Sequence, residues 1–147
     1  MKREIKFRAW HKTYDLLCDV VEIVFGDDDN YVAVENGEYI ERWRFDDIEL
    51  MQYTGLKDVN GVEIYEGDIV RVNYSGNDDF SGLALVVFRN GCFELEGKIM
   101  EIINSEGIMY DDFYTVSNDL SRYSACVKVI GNKFKNPELL EVTDNEQ

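Results

Sequence analysis

One histidine, one proline and three cysteines occur in 147 residues, and each shortage excludes some chemistry. Nucleophilic catalysis commonly sets a histidine base beside the nucleophile, and the sole histidine, His11, falls in a polar break after Trp10. It reads as a solvent-exposed turn residue. Cys18, Cys92 and Cys126 are odd in number, far apart and without a C-x-x-C pair. They encode neither a zinc site nor a disulfide framework, and they read as reduced thiols of a cytosolic protein, packed rather than reactive. No G-x-S-x-G, phosphate-cradling glycine loop or H-E-x-x-H is present. No apolar run approaches the ~18 residues of a membrane span. The opening "MKREIKFRAW" is charged at once and lacks the apolar core of a secretory signal.

Basic residues are also in deficit. Fifteen Lys and Arg stand against 30 Asp and Glu, for a formal net charge of −15. Such an average field repels a phosphate backbone and argues against ordinary nucleic-acid binding. The charge is even along the chain, with 17 acidic and nine basic residues in 1–74 and 13 and six in 75–147. Charge therefore marks no tail, arm or domain boundary. What is plentiful is apolar and aromatic material, at 45% and 13%. That is enough for a sizeable core in one domain, or in two small β lobes.

Alternating segments separated by Gly, Asn and Asp set the class. "EIKFRAW" alternates Ile5, Phe7 and Ala9 with Lys6 and Arg8. Further strands are predicted over 16–25, 31–34, 39–45, 68–74, 83–88, 92–97 and 125–131. Asn36-Gly37 and Asn90-Gly91 are hairpin signals. "NPELLE" predicts a short helix with Pro137 at its first position, and "SNDLSRY" a helical turn capped by Ser117 or Asn118. The stretch 98–124 is otherwise ambiguous between helix and strand, and 142–147 reads as a frayed tail.

The densest polar stretch is "YTGLKDVNGVEIYEGDIVRV", Tyr53 to Val72. A calcium loop starting at Asp58 would carry ligands at its first, third and fifth places, glycine at the sixth and glutamate at the twelfth. The fifth place is Val62, the glycine is Gly61, two places early, and the twelfth is Ile69. The pattern fails, and the residues read as scaffold. Asn60-Gly61 suits a tight turn, Gly67 a second bend, and Asp68 can accept backbone N–H groups where the strand begins. On this reading Asp58 contributes no more than about 1 kcal/mol through a turn hydrogen bond.

The ordered set Tyr53-Thr54-Gly55-Leu56, Asp58, Asn60-Gly61 and Ile64 to Val70, with "MKREIKFRAW" and "VIGNKFKNPELLE", closely resembles the YopX family of bacteriophage and prophage proteins. The resemblance implies a mainly β fold. An SH3-like barrel over 53–141 follows an N-terminal antiparallel β region over 1–52, with one or two short helices. It implies no activity, catalytic residue, metal or cofactor.

The acid clusters Asp27-Asp28-Asp29, Asp46-Asp47, Asp78-Asp79 and Asp111-Asp112 lie in or beside predicted loops, where carboxylates solvate turns. Aromatics such as Trp10, Tyr31, Tyr39, Trp43, Phe45, Tyr53, Tyr65 and Tyr74 exceed what a small barrel holds, so some are expected at the surface as interface anchors. The leading expectation is a non-catalytic protein-interaction module in the cytoplasm of an infected bacterium, binding a host or phage protein. The alternatives are an acidic mimic of nucleic acid, or direct nucleic-acid binding through the basic cluster Lys2, Arg3, Lys6 and Arg8.

Overall fold

A computed structural model describes residues 3–73, 81–96, 118–119 and 127–141. The chain divides into two compact units, Met1–Gly55 and Leu56–Gln147.

The first unit is an antiparallel sheet of β1 (Phe7–His11), β2 (Leu16–Phe25), β3 (Asn30–Asn36), β4 (Tyr39–Arg44) and most of β5 (Ile48–Lys57). Its order is β4-β3-β2-β1-β5, and β6 (Glu63–Tyr65) stands next to β5 in the order. Alternation puts Ala9, Cys18, Val32, Val34, Trp43 and Ile48 into one core, flanked by Leu16, Val20, Ile23 and Leu50. Between Val20 and Glu22 the β2–β3 register shifts, so Val21 is extruded and stands exposed. A 3-10 turn, Phe45–Asp47, leads from β4 straight into β5.

The second unit pairs β7 (Asp68–Asn73), β8 (Ser81–Arg89), β9 (Cys92–Glu96), β10 (Asn118–Asp119) and β11 (Val127–Asn132) in the order β10-β9-β8-β7-β11. Ile64, Val70, Val72, Ala84, Val86, Leu95 and Val127 form its core. A short helix α1, Glu138–Glu141, follows Pro137 as the sequence predicts.

The mainly β class holds in both units, and the predicted strands recur within one or two residues of their ends except the first, which begins at Phe7 rather than Glu4. Three local expectations change. Asn36 is not a turn residue: it pairs with Tyr39, so the loop is Gly37-Glu38 with only Gly37 at positive φ. Asn118 is in a strand paired to Leu95, not in a helical turn. The ten-residue β5 went unread as a strand. It buries Ile48 from one face and Met51 and Tyr53 from the other, which erases simple alternation. The rest of 98–124 and the tail 142–147 lie outside the described residues.

Candidate functional site

The acidic stretch singled out in the sequence proves to be a clasp. Asp58 is buried, and its Oδ1 accepts the N–H groups of Asn60 (2.8 Å) and Val62 (2.9 Å). Its Oδ2 accepts the N–H of Val129, 2.9 Å away on β11. Its own N–H donates to the Val62 carbonyl and its carbonyl accepts from Gly61, closing the turn before β6. Only Gly61 of the Asn60-Gly61 pair takes positive φ. Burial pushes the Asp58 carboxyl up, but N–H groups from Val129, Val62 and Asn60, with the Lys128 charge, outweigh it and hold the pKa below the usual carboxylate range. Oxygens that receive three N–H donors face positive dipoles and are not offered to a cation.

Asp68 is also buried and accepts the Tyr65 N–H at 2.8 Å, in the role read for it. Gly67 has φ +86°, donates to Val86 and accepts from Lys133. The scaffold reading of the stretch stands, but the minor role expected for Asp58 does not.

His11 is the second correction. It ends β1 and is only 6% exposed, not a solvated turn residue. Its Nδ1 accepts the N–H groups of Thr13 (3.2 Å) and Tyr14 (3.1 Å), folding the turn back onto the ring. This fixes the neutral ring's proton on Nε2. Tyr14, itself exposed, stacks on the imidazole at 3.8 Å, and Trp43 meets it edge-on at 5.0 Å. The sequence offers no signal for this role, because Trp43 reaches the ring only when β1 and β4 lie in one sheet, and the local bonds from Thr13 and Tyr14 leave no periodic mark.

Around His11 opens a groove of about 630 Å³, walled on one side by Tyr14 and Leu16 and on the other by Glu41 to Arg44 of β4. Four consecutive β4 residues line it, so the groove runs along the strand's edge and takes side chains from both faces. Within it the Glu41 carboxylate accepts from Asn36 Nδ2 (3.2 Å) and Trp43 Nε1 (3.1 Å). Arg44 pairs with Asp29, and Arg42 lies over the Tyr31 ring at 5.3 Å.

Other sequence candidates disperse. Cys18 is buried, and its thiol is pushed up by burial and by the Glu41 and Asp19 charges, which keeps it protonated and a poor nucleophile. Cys92 is exposed in a hairpin, contrary to the packed role expected of it, and Cys126 lies outside the described residues. Among the described residues no three His, Cys, Asp or Glu converge as a metal site requires. No helix among them is long and apolar enough to cross a membrane. Of the acid clusters, Asp27-Asp28-Asp29 and Asp46-Asp47 sit in loops or the 3-10 turn, and the other two pairs lie outside the described residues. Of the basic cluster, Lys6 pairs with Glu4 at 2.9 Å and Arg8 reaches the Met51 sulfur. Trp10, Trp43, Tyr53 and Tyr65 are core, whereas Tyr39 is 74% exposed.

Comparison with known proteins agrees with the sequence resemblance. No curated protein matches the chain. Among solved structures, protein EF1440 from Enterococcus faecalis is similar with a TM-score of 0.58 and 27% identity, over 95% of this chain and 99% of that one. Protein yopX from Bacillus subtilis shares the fold at a TM-score of 0.52 and 17% identity, over 92% of this chain and 95% of its own. The model of the YopX protein family matches residues 6–141, and the chain belongs to that family.

Proposed function

We propose that this is a phage-encoded, non-catalytic protein-interaction module that acts in the cytoplasm of an infected bacterium. It binds a host or phage protein through the groove beside β4. The second unit is the frame: a four-strand antiparallel meander, β7 to β10, with the last strand β11 back beside β7 around one core, supports the SH3-like reading of it. The observation that carries the proposal is the groove's make-up. Buried Trp43 and exposed Tyr14 supply aromatic walls, and Asn36, Glu41 and Arg42 supply polar groups at the rim. Aromatic anchors ringed by polar groups suit a protein partner. The Nδ1 of His11, tied to the Thr13 and Tyr14 N–H groups, is not offered to the groove as a base.

The test is capture from infected cells with three forms of the full chain. The unaltered protein and a Phe88→Ser control, changed at an exposed site on β8, should recover the same defined protein. A Tyr14→Ser variant, changed at an exposed groove residue, that folds normally should lose it. Equal recovery by all three would remove the groove from the proposal.

A further inference from the structure

Two of the four terminal strands, β4 and β11, are treated differently by the chain. At β11, which ends the second sheet, the Val127 carbonyl accepts the Val59 N–H and the Val129 N–H donates to Asp58. A register shift between Val129 and Gly131 bends it further. That strand is capped in the ways proteins use to blunt a sheet edge. β4, the terminal strand of the first sheet, has none of these devices. Its register with β3 is unbroken from Tyr31↔Arg44 to Asn36↔Tyr39, and it holds no proline or glycine.

The hairpin phase decides which backbone groups face outward. Asn36 and Tyr39 flank the two-residue loop as a bonded pair, so Glu41 and Trp43 also bond inward and Ile40, Arg42 and Arg44 turn their N–H and C=O groups away from β3. Arg44 caps the 3-10 turn, so its carbonyl takes that turn's first bond, whereas among the described residues no loop or turn bond is made to the outward groups of Ile40 and Arg42 or to the Arg44 N–H. They border the groove, into which His11, more than nine-tenths buried, brings an Nε2–H that has no partner among the described residues.

We infer that β4 is a strand-addition site, and that its occupant is an extended, acidic segment of the partner protein. The inference rests on the interaction reading above and specifies its mode. The added strand's backbone pairs with Ile40 and Arg42 and reaches the Arg44 N–H. Its side chains alternate, one set facing the Arg42 and Arg44 guanidiniums and the other entering the groove, where an acceptor takes the His11 Nε2–H. A second copy of this chain fits worse. Antiparallel registers that keep each face and overlap most of the strand set Glu41 against Glu41 or Arg42 against Arg42, and like charges directly opposite repel.

The probe is a capped peptide alternating glutamine and glutamate, titrated into the full chain by heteronuclear NMR. Two companions carry lysine for glutamate, or N-methyl groups on alternate backbone amides. The glutamate peptide should shift the Ile40, Arg42 and Arg44 amides and the His11 ring. The lysine peptide should bind up to about fivefold more weakly, the upper end for one cross-strand charge pair, and the N-methyl peptide should not bind. Arg42→Glu should reverse the preference between the charged peptides. Arg42→Pro, tolerated where an edge N–H faces solvent, should keep the fold and lose the peptide. Binding that leaves the β4 amides unmoved, or survives N-methylation, overturns strand addition. So does concentration-dependent dimerisation that protects those amides, which would make a second copy the occupant. If a captured partner depends on Tyr14 while the β4 amides stay unmoved, only the mode fails. If the β4 amides respond but no partner depends on the groove, only the interaction reading fails.

Discussion

The Asp58 carboxylate receives the Val129 N–H at 2.9 Å although 71 residues separate the two in sequence. One side chain thus shapes its own turn with Oδ1 and holds the edge of β11 with Oδ2. Removing it strands three backbone donors in part-buried surroundings. Asp58→Ala should destabilise the protein by about 2–4 kcal/mol, since hydrogen bonds to a charged acceptor are worth ~1.5–3 kcal/mol each and do not add fully. Urea unfolding measures this, and a loss near the ~1 kcal/mol of an ordinary turn bond would disprove the clasp.

The same carboxylate gives stability a definite acid dependence. Its folded pKa is depressed: burial raises it, but the N–H donors from Val129, Val62 and Asn60 and the Lys128 charge lower it more. The unfolded chain therefore binds the proton first. The contribution is complete above the unfolded carboxylate value, near ~3.9, and is lost as pH falls below it through the folded value. Asp58→Asn should flatten this part of the stability profile relative to the unaltered protein. Parallel profiles for the two would show that other groups carry it.

Gly67 sits at φ +86° with its N–H bound to Val86 and its carbonyl to Lys133. Gly67→Val forces a β-branched side chain into that region, at a cost of roughly 1–3 kcal/mol in strain before any clash is counted. The melting temperature should fall markedly. Gly91→Val, at φ +82° in an open hairpin turn, should cost similar local strain but leave the Val86 and Lys133 bonds intact. Hydrogen exchange at Lys133 should accelerate only in the Gly67 variant.

Millimolar calcium should not change the melting temperature. A specific ligand would raise it by mass action, but the Asp58 oxygens already point at N–H groups. A calcium-dependent rise abolished by Asp58→Ala would overturn this assignment.

His11→Phe keeps the ring stack on Tyr14 and removes the Nδ1 acceptor for Thr13 and Tyr14. A loss of about 1–3 kcal/mol is expected from the two unsatisfied donors. Unchanged stability would mean that the turn between β1 and β2 folds without the histidine.

Strand positions were legible because most strands bury one face, and period-two alternation records that directly. β5 escaped because Ile48 and Leu50 pack to one side while Met51 and Tyr53 are buried on the other. The Asn36-Gly37 turn was found but misphased by one residue, since only the register Asn36↔Tyr39 shows that Gly37 opens the loop. The groove was not legible. It depends on β4 and the β1–β2 turn facing one another, and His11 carries no periodic mark of that. Asp58 was visible as a turn former, but its bond to Val129 spans a distance that local pattern does not reach.

The position of β11 also sets an order of assembly. The hairpins joining β2, β3 and β4 are local, and the first sheet is complete once β5 meets β1 at Phe7↔Gln52. The second sheet must bring Val127 beside Val72 and seat Val129 on Asp58, 71 residues away in sequence, with strands made last in the chain. Contacts of such separation form late. As the chain leaves the ribosome, the groove-bearing unit can mature while the other still waits for its final strand. Until β11 arrives, β7 shows an open flank and Asp58 has no strand to hold, a vulnerable interval in which chaperones and proteases find their opportunity.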